Sequence, residues 1–374
     1  MNNPADILEQ ILKQVPVDLK KSLIEDKDIR ERIEHVCRNP HNRACARFLM
    51  ACLLAKLDRP DIDPRKPYTE IGDADSFSGR TYDEKHVTPF IYTNRLPLNS
   101  TTAFLTPAFR NLDRPLTTGL ELIGRPRQLY RNTLQLLDDV YEGRVNAEKA
   151  LSEIVRILLV MREEKKVRIE TMLADLRHPD DATPLAAEEI VTLIEQHLKC
   201  RNSSRLPVLV IAAVYNSVSA KLGERALPLR SHTAADEQTG ALGDIEVCLE
   251  NDDLVVTVYE MKMKRVTTND IDRAVDKISS SQQGIHNYVF ITTDIIDESV
   301  KGYAAEVYER TGGAEIVVLD CVGFLRHFLH LFYRSRLNFL DAYQELVLNE
   351  PDSAVSQVLK EAFLALRQAA ESDM

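Results

Sequence analysis

Apolar residues recur at helical spacing through most of the first 200 residues. A short stripe that includes Ile7 and Ile11 and a continuous apolar run at 48–54 predict helices before residue 60. The same spacing returns over 126–200. We therefore expect a mainly helical N-terminal region over residues 1–200.

One stretch of this region breaks the pattern. Residues 61–124 are rich in Pro, Thr, Gly, Asn and Arg and show little helical period. A long irregular stretch in a compact protein is usually functional or disordered. Aromatic residues such as Phe77, Phe104 and Phe109 are interleaved through it, and they favour an ordered segment. We therefore expect an ordered segment with a function of its own within the N-terminal region.

From residue 201 onward, strands and helices alternate. The predicted order is helix, strand, strand, helix, strand, helix, strand and two closing helices, at about 204–218, 244–249, 254–262, 268–281, 288–293, 298–311, 315–320, 323–348 and 353–371. This order predicts the α/β (α+β) fold class, with a small mixed central sheet flanked by helices. We assign residues 201–374 to this second domain.

The first two strands carry three charged residues in a pattern with chemical meaning. Asp244 opens one strand, and Glu260 and Lys262 close the next, with a turn-like linker at 250–253 between them. Side chains two apart on a strand share a face. A hairpin therefore brings Asp244 beside Glu260 and Lys262.

Two converging carboxylates repel each other and attract a divalent cation. Mg²⁺ takes one or two protein carboxylates and keeps water and phosphate oxygens as further ligands. A neighbouring lysine can orient the attacking water or neutralise charge that develops on phosphate. Asp244, Glu260 and Lys262 are thus candidate catalytic residues, with Asp244 and Glu260 as metal ligands. The alternative is a solvated hairpin with an ordinary Glu–Lys pair.

Three further residues near the hairpin have open roles. Glu246 is an auxiliary ligand, a residue that supports the site from behind, or a residue that faces solvent. Lys264 is either part of the same face or a solvated lysine or phosphate contact. Asp236, in the loop before the strand, is a weaker candidate ligand.

Charge and composition narrow the function classes. The net charge is −11, which argues against a protein that coats DNA indiscriminately. Residues 86–132 nevertheless hold six arginines against Asp113 and Glu121, a local basic stretch suited to contacting DNA. The six cysteines form no CxxC pair, as expected for reduced thiols in the cytoplasm. The chain shows no apolar membrane-spanning run, signal-peptide pattern or GxxxxGK[ST] loop, so we expect neither membrane association nor NTP use.

Two segments carry side chains that suit base recognition. Arginine can pair with guanine, and asparagine with adenine. The first segment contains Arg95, Asn99 and Arg110, and the second, just before the Asp244 strand, contains Arg230 and His232. For each residue, a phosphate contact or an intramolecular ion pair remains the alternative.

The hairpin resembles that of the PD-(D/E)XK nuclease superfamily, whose core is a helix, an antiparallel hairpin with Asp and then Glu-x-Lys, a crossover helix and a further strand. The order over about 204–320 follows this core. Gly243 stands where the family name puts proline. Over roughly 65–265 the chain also resembles SacI-like type II restriction endonucleases, in segments such as Thr101–Asn111 and His232–Asp236.

This resemblance implies Mg²⁺-dependent cleavage of double-stranded DNA at a short specific sequence. It implies Asp244 and Glu260 as metal ligands and Lys262 as the residue that orients water. A palindromic site is matched by a two-fold protein, so we expect a homodimer. A structure-directed repair or recombination nuclease on the same core and a non-catalytic DNA-binding module are the alternatives.

Overall fold

The computed structural model describes residues 3–16, 19–40, 42–99, 101–176, 184–229, 242–281 and 285–372. The chain divides into two compact units, Met1–Arg168 and Ile169–Met374. The helix Ala187–Leu198, which the sequence pattern groups with the N-terminal region, packs with helices of the second unit.

The described part of the first unit is built from helices. They are α1 (Pro4–Gln14), α2 (Lys27–Arg38), α3 (Ala44–Asp58), α4 (Gly79–Tyr82), α5 (Thr88–Thr93), α6 (Arg127–Tyr141) and most of α7 (Ala147–Asp175), with a π-helical turn at Asp83–Val87 between α4 and α5. Helix α3 is buried on all sides from Ala44 to Ala55, as expected for a central helix that is apolar all round. Short 3-10 turns lie at Thr69–Ile71 and Ala103–Leu105.

The irregular segment 61–124 packs on this central helix. Phe109 stacks on Phe48 with ring centroids 4.0 Å apart, and Phe104 lies 4.7 Å from the same ring. Phe77 is also buried. The aromatic residues therefore order the segment, as predicted. The helical turns between Gly79 and Thr93 were not expected, because each is too short to show a helical period in the sequence.

The second unit alternates strands and helices. Its described elements are α8 (Ala187–Leu198), α9 (Leu206–Leu222), β1 (Glu224–Ala226), β2 (Ile245–Leu249), β3 (Val255–Lys262), α10 (Thr268–Ser280), β4 (Asn287–Thr292), α11 (Glu298–Arg310), β5 (Glu315–Asp320), α12 (Cys321–Leu331), α13 (Arg336–Asn349) and α14 (Gln357–Ser372). A 3-10 turn at Tyr333–Ser335 joins α12 to α13.

The described strands form one mixed sheet in the order β1-β2-β3-β4-β5. Strands β1, β2 and β3 pair antiparallel, and β3, β4 and β5 pair parallel. The predicted α+β class with a mixed central sheet is confirmed. The three-residue strand β1 was not predicted, since it is too short to show alternation.

Helices cover both faces of the sheet. On one face, side chains such as Val247 and Ile291 pack in a core that also contains the buried helix α9. On the other face, Val258 and Phe290 pack in a core with residues of α10 and α11. The charged end of β3 lies at the border of this second core.

One predicted helix is two helices in the structure. The continuous apolar pattern over 323–348 predicted a single helix, but the chain leaves helical geometry at Phe332 (φ −108°, ψ 45°). Helix α12 packs on α8, whereas α13 packs mainly on α9. The chain must therefore turn between them, and the buried Ser335 at this turn accepts a hydrogen bond from Lys221. Within the described part of the chain, no helix combines the length and the hydropathy that a membrane span requires.

Candidate active site

The register of the hairpin places Asp244 opposite Glu260. Ile245 pairs with Tyr259 across β2 and β3, and the Asp244 amide donates to the Tyr259 carbonyl at 2.9 Å. Directly opposed residues of an antiparallel pair share a face. Lys262 lies two residues beyond Glu260 and shares that face too. The structure thus brings the three predicted residues together at one end of the sheet.

The carboxylate of Asp244 is held by the neighbouring strand. Its Oδ2 accepts a hydrogen bond from the Met261 amide at 2.7 Å. This amide lies between Glu260 and Lys262, so the bond fixes Asp244 beside both. Asp244 is exposed to solvent, which leaves the site open on this side.

Glu260 lies at the centre of a charged cluster. Its Oε1 is 3.0 Å from Lys262 Nζ. Its Oε2 is 3.1 Å from Lys277 Nζ and accepts a hydrogen bond from the Tyr288 hydroxyl at 2.9 Å. The side chains of Glu260 and Lys262 keep 16% and 27% of their surface exposed. The cluster therefore borders a core without being sealed from water.

Lys262 lies between two carboxylates, which together determine its protonation state. Asp270 Oδ1 lies 3.5 Å from Lys262 Nζ. Burial by itself lowers the pKa of Lys262, but Glu260 and Asp270 outweigh burial and raise the pKa above its ordinary value. Lys262 is therefore an ammonium at neutral pH and acts as a hydrogen-bond donor.

Asp270 is held in place by the start of α10. It forms a capping box with Thr267, whose amide and hydroxyl donate to Asp270 Oδ2 at 2.9 and 2.7 Å. Burial raises the pKa of Asp270, but the Thr267 hydrogen bonds and Lys262 lower it more, and the net pKa lies below its ordinary value. The predicted N-cap at 267–269 falls on Thr267.

Three members of this cluster were missed by sequence reasoning: Asp270, Lys277 and Tyr288. Asp270 and Lys277 lie seven residues apart in α10, two helical turns, on the side that also buries Ile271 and Ala274. That spacing was visible in the sequence as one face of an amphipathic helix. The position of Tyr288 depends on its parallel pairing with Val258, which the sequence does not specify.

The structure gives the positions of two of the three residues whose roles were open. Glu246 is buried and its Oε1 accepts a hydrogen bond from the Leu242 amide at 2.8 Å, so it braces the chain before Asp244. Strand β3 ends at Lys262, and Lys264 is exposed beyond it. Asp236 lies outside the described residues.

The candidate DNA contacts lie partly within the described residues. Arg95, Asn99 and Arg110 are exposed in the first unit. The Asn99 carbonyl accepts a hydrogen bond from Arg47 Nη1 at 2.5 Å, which anchors this segment. Arg230 and His232 lie outside the residues that the structure describes.

The donor set of the cluster suits a hard cation. Asp244 and Glu260 offer carboxylate oxygens, which Mg²⁺ prefers, and Mg²⁺ requires no more than one or two protein carboxylates. Among the described residues, no group of three or more His, Cys, Asp and Glu side chains is placed to hold a metal. The fit therefore rests on the two carboxylates, completed by water or phosphate oxygens.

Comparison with known families addresses the same part of the chain. Residues 183–293 match the family model described as the SacI restriction endonuclease C-terminal domain. This part of the chain is therefore similar to a SacI-type restriction endonuclease domain. The matched SacI-type domain contains β2, β3, α10 and β4, and with them every residue of the charged cluster. A search of curated proteins found no match.

A SacI-type domain indicates a restriction endonuclease, an enzyme that cuts DNA. The resemblance inferred from the sequence is thereby confirmed at the level of the family. The match ends at residue 293, shortly after β4, so β5 and the closing helices lie beyond it.

Proposed function

We propose that the chain hydrolyses phosphodiester bonds in double-stranded DNA at a short specific sequence, with Mg²⁺ held by Asp244 and Glu260. The observation that carries the proposal is the convergence of Asp244, Glu260 and Lys262 at one end of the sheet, inside the matched restriction endonuclease domain. The antiparallel hairpin followed by α10 and the parallel strand β4 supports a PD-(D/E)XK type of core.

Each residue has a role that follows from its contacts. Asp244 and Glu260 would hold the cation through carboxylate oxygens. When bound, Mg²⁺ supplies positive charge that polarises the phosphoryl group and acidifies water. Lys262, fixed as an ammonium between Glu260 and Asp270, donates hydrogen bonds to the attacking water or to the phosphate oxygens as negative charge grows there.

We assign recognition of the DNA sequence to exposed side chains of the first unit. Arg95 and Arg110 are exposed in a segment that buried aromatic residues hold in place. An ordered backbone lets such side chains meet base edges at fixed positions. We further propose that the enzyme acts as a homodimer on a palindromic site, because a two-fold protein presents the same surface to each half-site.

The first experiment incubates the purified protein with phage-sized duplex DNA in Mg²⁺ or in EDTA. The Lys262→Ala variant is run beside it, with Lys264→Ala as the matched control, since Lys264 is exposed beyond the strand. We expect discrete fragments that require Mg²⁺ and Lys262 but not Lys264. Sequencing their ends would identify the recognition site.

Other outcomes separate the alternatives. A smear of fragments would replace a sequence-specific enzyme by a structure-directed or non-specific nuclease. Cleavage by Lys262→Ala at the normal rate would remove the assigned site. DNA binding without cleavage in any divalent cation would favour a non-catalytic DNA-binding module.

A further inference from the structure

Two donors link Glu260 to the backbone just before Asp244. The Leu242 carbonyl accepts hydrogen bonds from the Tyr288 hydroxyl at 3.0 Å and from Lys277 Nζ at 3.3 Å. Glu260 Oε2 lies 3.1 Å from Lys277 Nζ and 2.9 Å from the Tyr288 hydroxyl, whose single proton it shares with the Leu242 carbonyl. Tyr288 comes from β4 and Lys277 from α10. Two separate elements thus converge on one carboxylate oxygen.

The two donors differ in how firmly they are held. Tyr288 is 1% exposed and its ring lies 5.2 Å from that of Phe290, so its hydroxyl has little freedom to move. The Lys277 side chain is 27% exposed and has a long flexible stem. Its ammonium can leave Glu260 for water, whereas the Tyr288 hydroxyl cannot.

They also differ in charge, which matters once a cation approaches. A neutral hydroxyl that donates to one lone pair of a carboxylate orients it and leaves other lone pairs for a metal. An ammonium on the same oxygen repels a dication by Coulomb's law. Lys277 and a metal at Glu260 therefore compete, while Tyr288 and the metal cooperate.

We propose that Lys277 occupies the place of the cation while the site is metal-free, and that Tyr288 is the positioning residue that aims Glu260 at the metal. The inference rests on the proposed function, because it takes Glu260 as a metal ligand. It adds that Lys277 from α10 weakens metal binding at Glu260, whereas Tyr288 from β4 strengthens it. Lys262 already pairs with Glu260 Oε1, and Lys277 adds a partner for Oε2 before the cation arrives.

The test measures Mn²⁺ binding to the full chain by calorimetry, without DNA. Lys277→Met keeps the stem and removes the charge, so we expect binding about tenfold tighter from the loss of one nearby positive charge. Tyr288→Phe keeps the ring and removes the hydroxyl, so we expect binding about tenfold weaker, as for other residues that orient a metal ligand. Lys277→Arg, which keeps the charge, should bind like the original chain.

Thermal unfolding of each variant controls for misfolding, and Glu260→Gln defines the signal that belongs to this site. Unchanged or weaker binding by Lys277→Met, with Mn²⁺ binding that still depends on Glu260, would overturn this inference and leave the proposed function intact. Equal heats for the original chain and Glu260→Gln would overturn both. A purely structural role for Lys277 would weaken binding in Lys277→Met rather than strengthen it.

Discussion

Two carboxylate–cation clusters, one in each unit, differ in how far water reaches them. In the first unit, Arg47 and Asp83 are 1% and 0% exposed and lie 2.7 Å apart. In the second, Glu260 and Lys262 are 16% and 27% exposed and lie 3.0 Å apart. The separations are similar, so distance alone does not tell a structural pair from a reactive one.

In the first unit, polar groups of the protein surround both members of the pair. Arg47 also donates to the Asn99 carbonyl and to the Thr88 hydroxyl, each at 2.5 Å. Asp83 Oδ2 accepts from Thr102 Oγ1 at 2.6 Å and from the Ala103 amide at 3.1 Å. These bonds tie α3 to the irregular segment around residues 99–103. The cluster is sealed by protein partners, which fits a role in holding that segment.

The cluster in the second unit is arranged differently. Glu260 faces two lysines, and Lys262 faces two carboxylates. Charges of both signs lie at an open edge, where a cation and a phosphate could exchange with the existing partners. The contrast teaches that accessibility and exchangeable charge mark a candidate active site better than the mere presence of an ion pair.

The largest expected effect is on cleavage. Asp244→Asn and Glu260→Gln keep the shape and an acceptor oxygen but remove the charge that holds the cation. We expect the cleavage rate to fall about a thousandfold or more, the scale on which lost transition-state electrostatics are felt. Initial rates on plasmid DNA measure this. Thermal stability should change little. Equal rates in both variants and the original chain would show that the accessible cluster of the second unit is not the active site.

Substitution in the sealed cluster of Arg47 and Asp83 should change the stability of the fold rather than the cleavage rate. Asp83→Asn leaves Arg47 buried with its charge uncompensated, and we expect a loss of roughly 3–5 kcal/mol in the free energy of unfolding. Urea denaturation measures it. The control is Asp61→Asn, whose pair with Arg59 is exposed at 3.4 Å and should contribute less than about 1 kcal/mol. Similar losses in the two variants would show that sealing is not what matters.

A third prediction concerns pH, because a sealed titratable group lies in the second unit too. His197 is buried, with Nε2 3.0 Å from the Leu359 carbonyl and Nδ1 3.0 Å from the Tyr343 hydroxyl. Burial lowers its pKa to about 4 from an ordinary value of 6.5, against the Leu359 hydrogen bond, which raises it. The folded protein therefore keeps His197 neutral where the unfolded chain binds a proton.

The direction of the pH dependence follows from this difference in the pKa of His197 between the folded and unfolded chain. The contribution to stability is full above about pH 6.5 and is lost as pH falls towards 4, on the order of 3 kcal/mol in total. Stability measured between pH 7 and 4 should therefore decline less steeply in His197→Gln than in the original chain. His330→Gln is the control, since His330 is 56% exposed. Parallel pH profiles for His197→Gln and the original chain would refute the prediction.

The smallest expected effect concerns DNA binding by the anchored segment. Arg95→Ala and Arg110→Ala should each weaken binding to the recognition site by about 1 kcal/mol or more if they contact bases. Binding to unrelated duplex DNA should change less. Fluorescence anisotropy in Ca²⁺ measures both, with Arg114→Ala as the control because Arg114 is paired with Asp113 at 3.2 Å. An equal loss on all sequences would make Arg95 and Arg110 phosphate contacts.

The sequence by itself determined the local features of the second unit. Two short apolar runs separated by a turn-like linker identified β2 and β3. The pairing of Asp244 with Glu260 and Lys262 follows from the short turn between them. The N-cap at Thr267 and the end of α11 before Gly312 and Gly313, both with positive φ, are likewise local. Such features depend on neighbours within a few residues, so a pattern along the chain can carry them.

Tertiary structure decided what depends on distant partners. The pairing of β4 with β3 brought Tyr288 to Glu260, the packing of α10 brought Lys277, and Arg47 met Asp83 across 36 positions. Strand β1 exists through its pairing with β2, and the break at Phe332 exists because α12 and α13 pack on different helices. Many residues of the chain have a similar local sequence, and packing determines which of them come into contact. The sequence therefore identified Asp244, Glu260 and Lys262 as candidates, and the fold decided which further residues lie beside them.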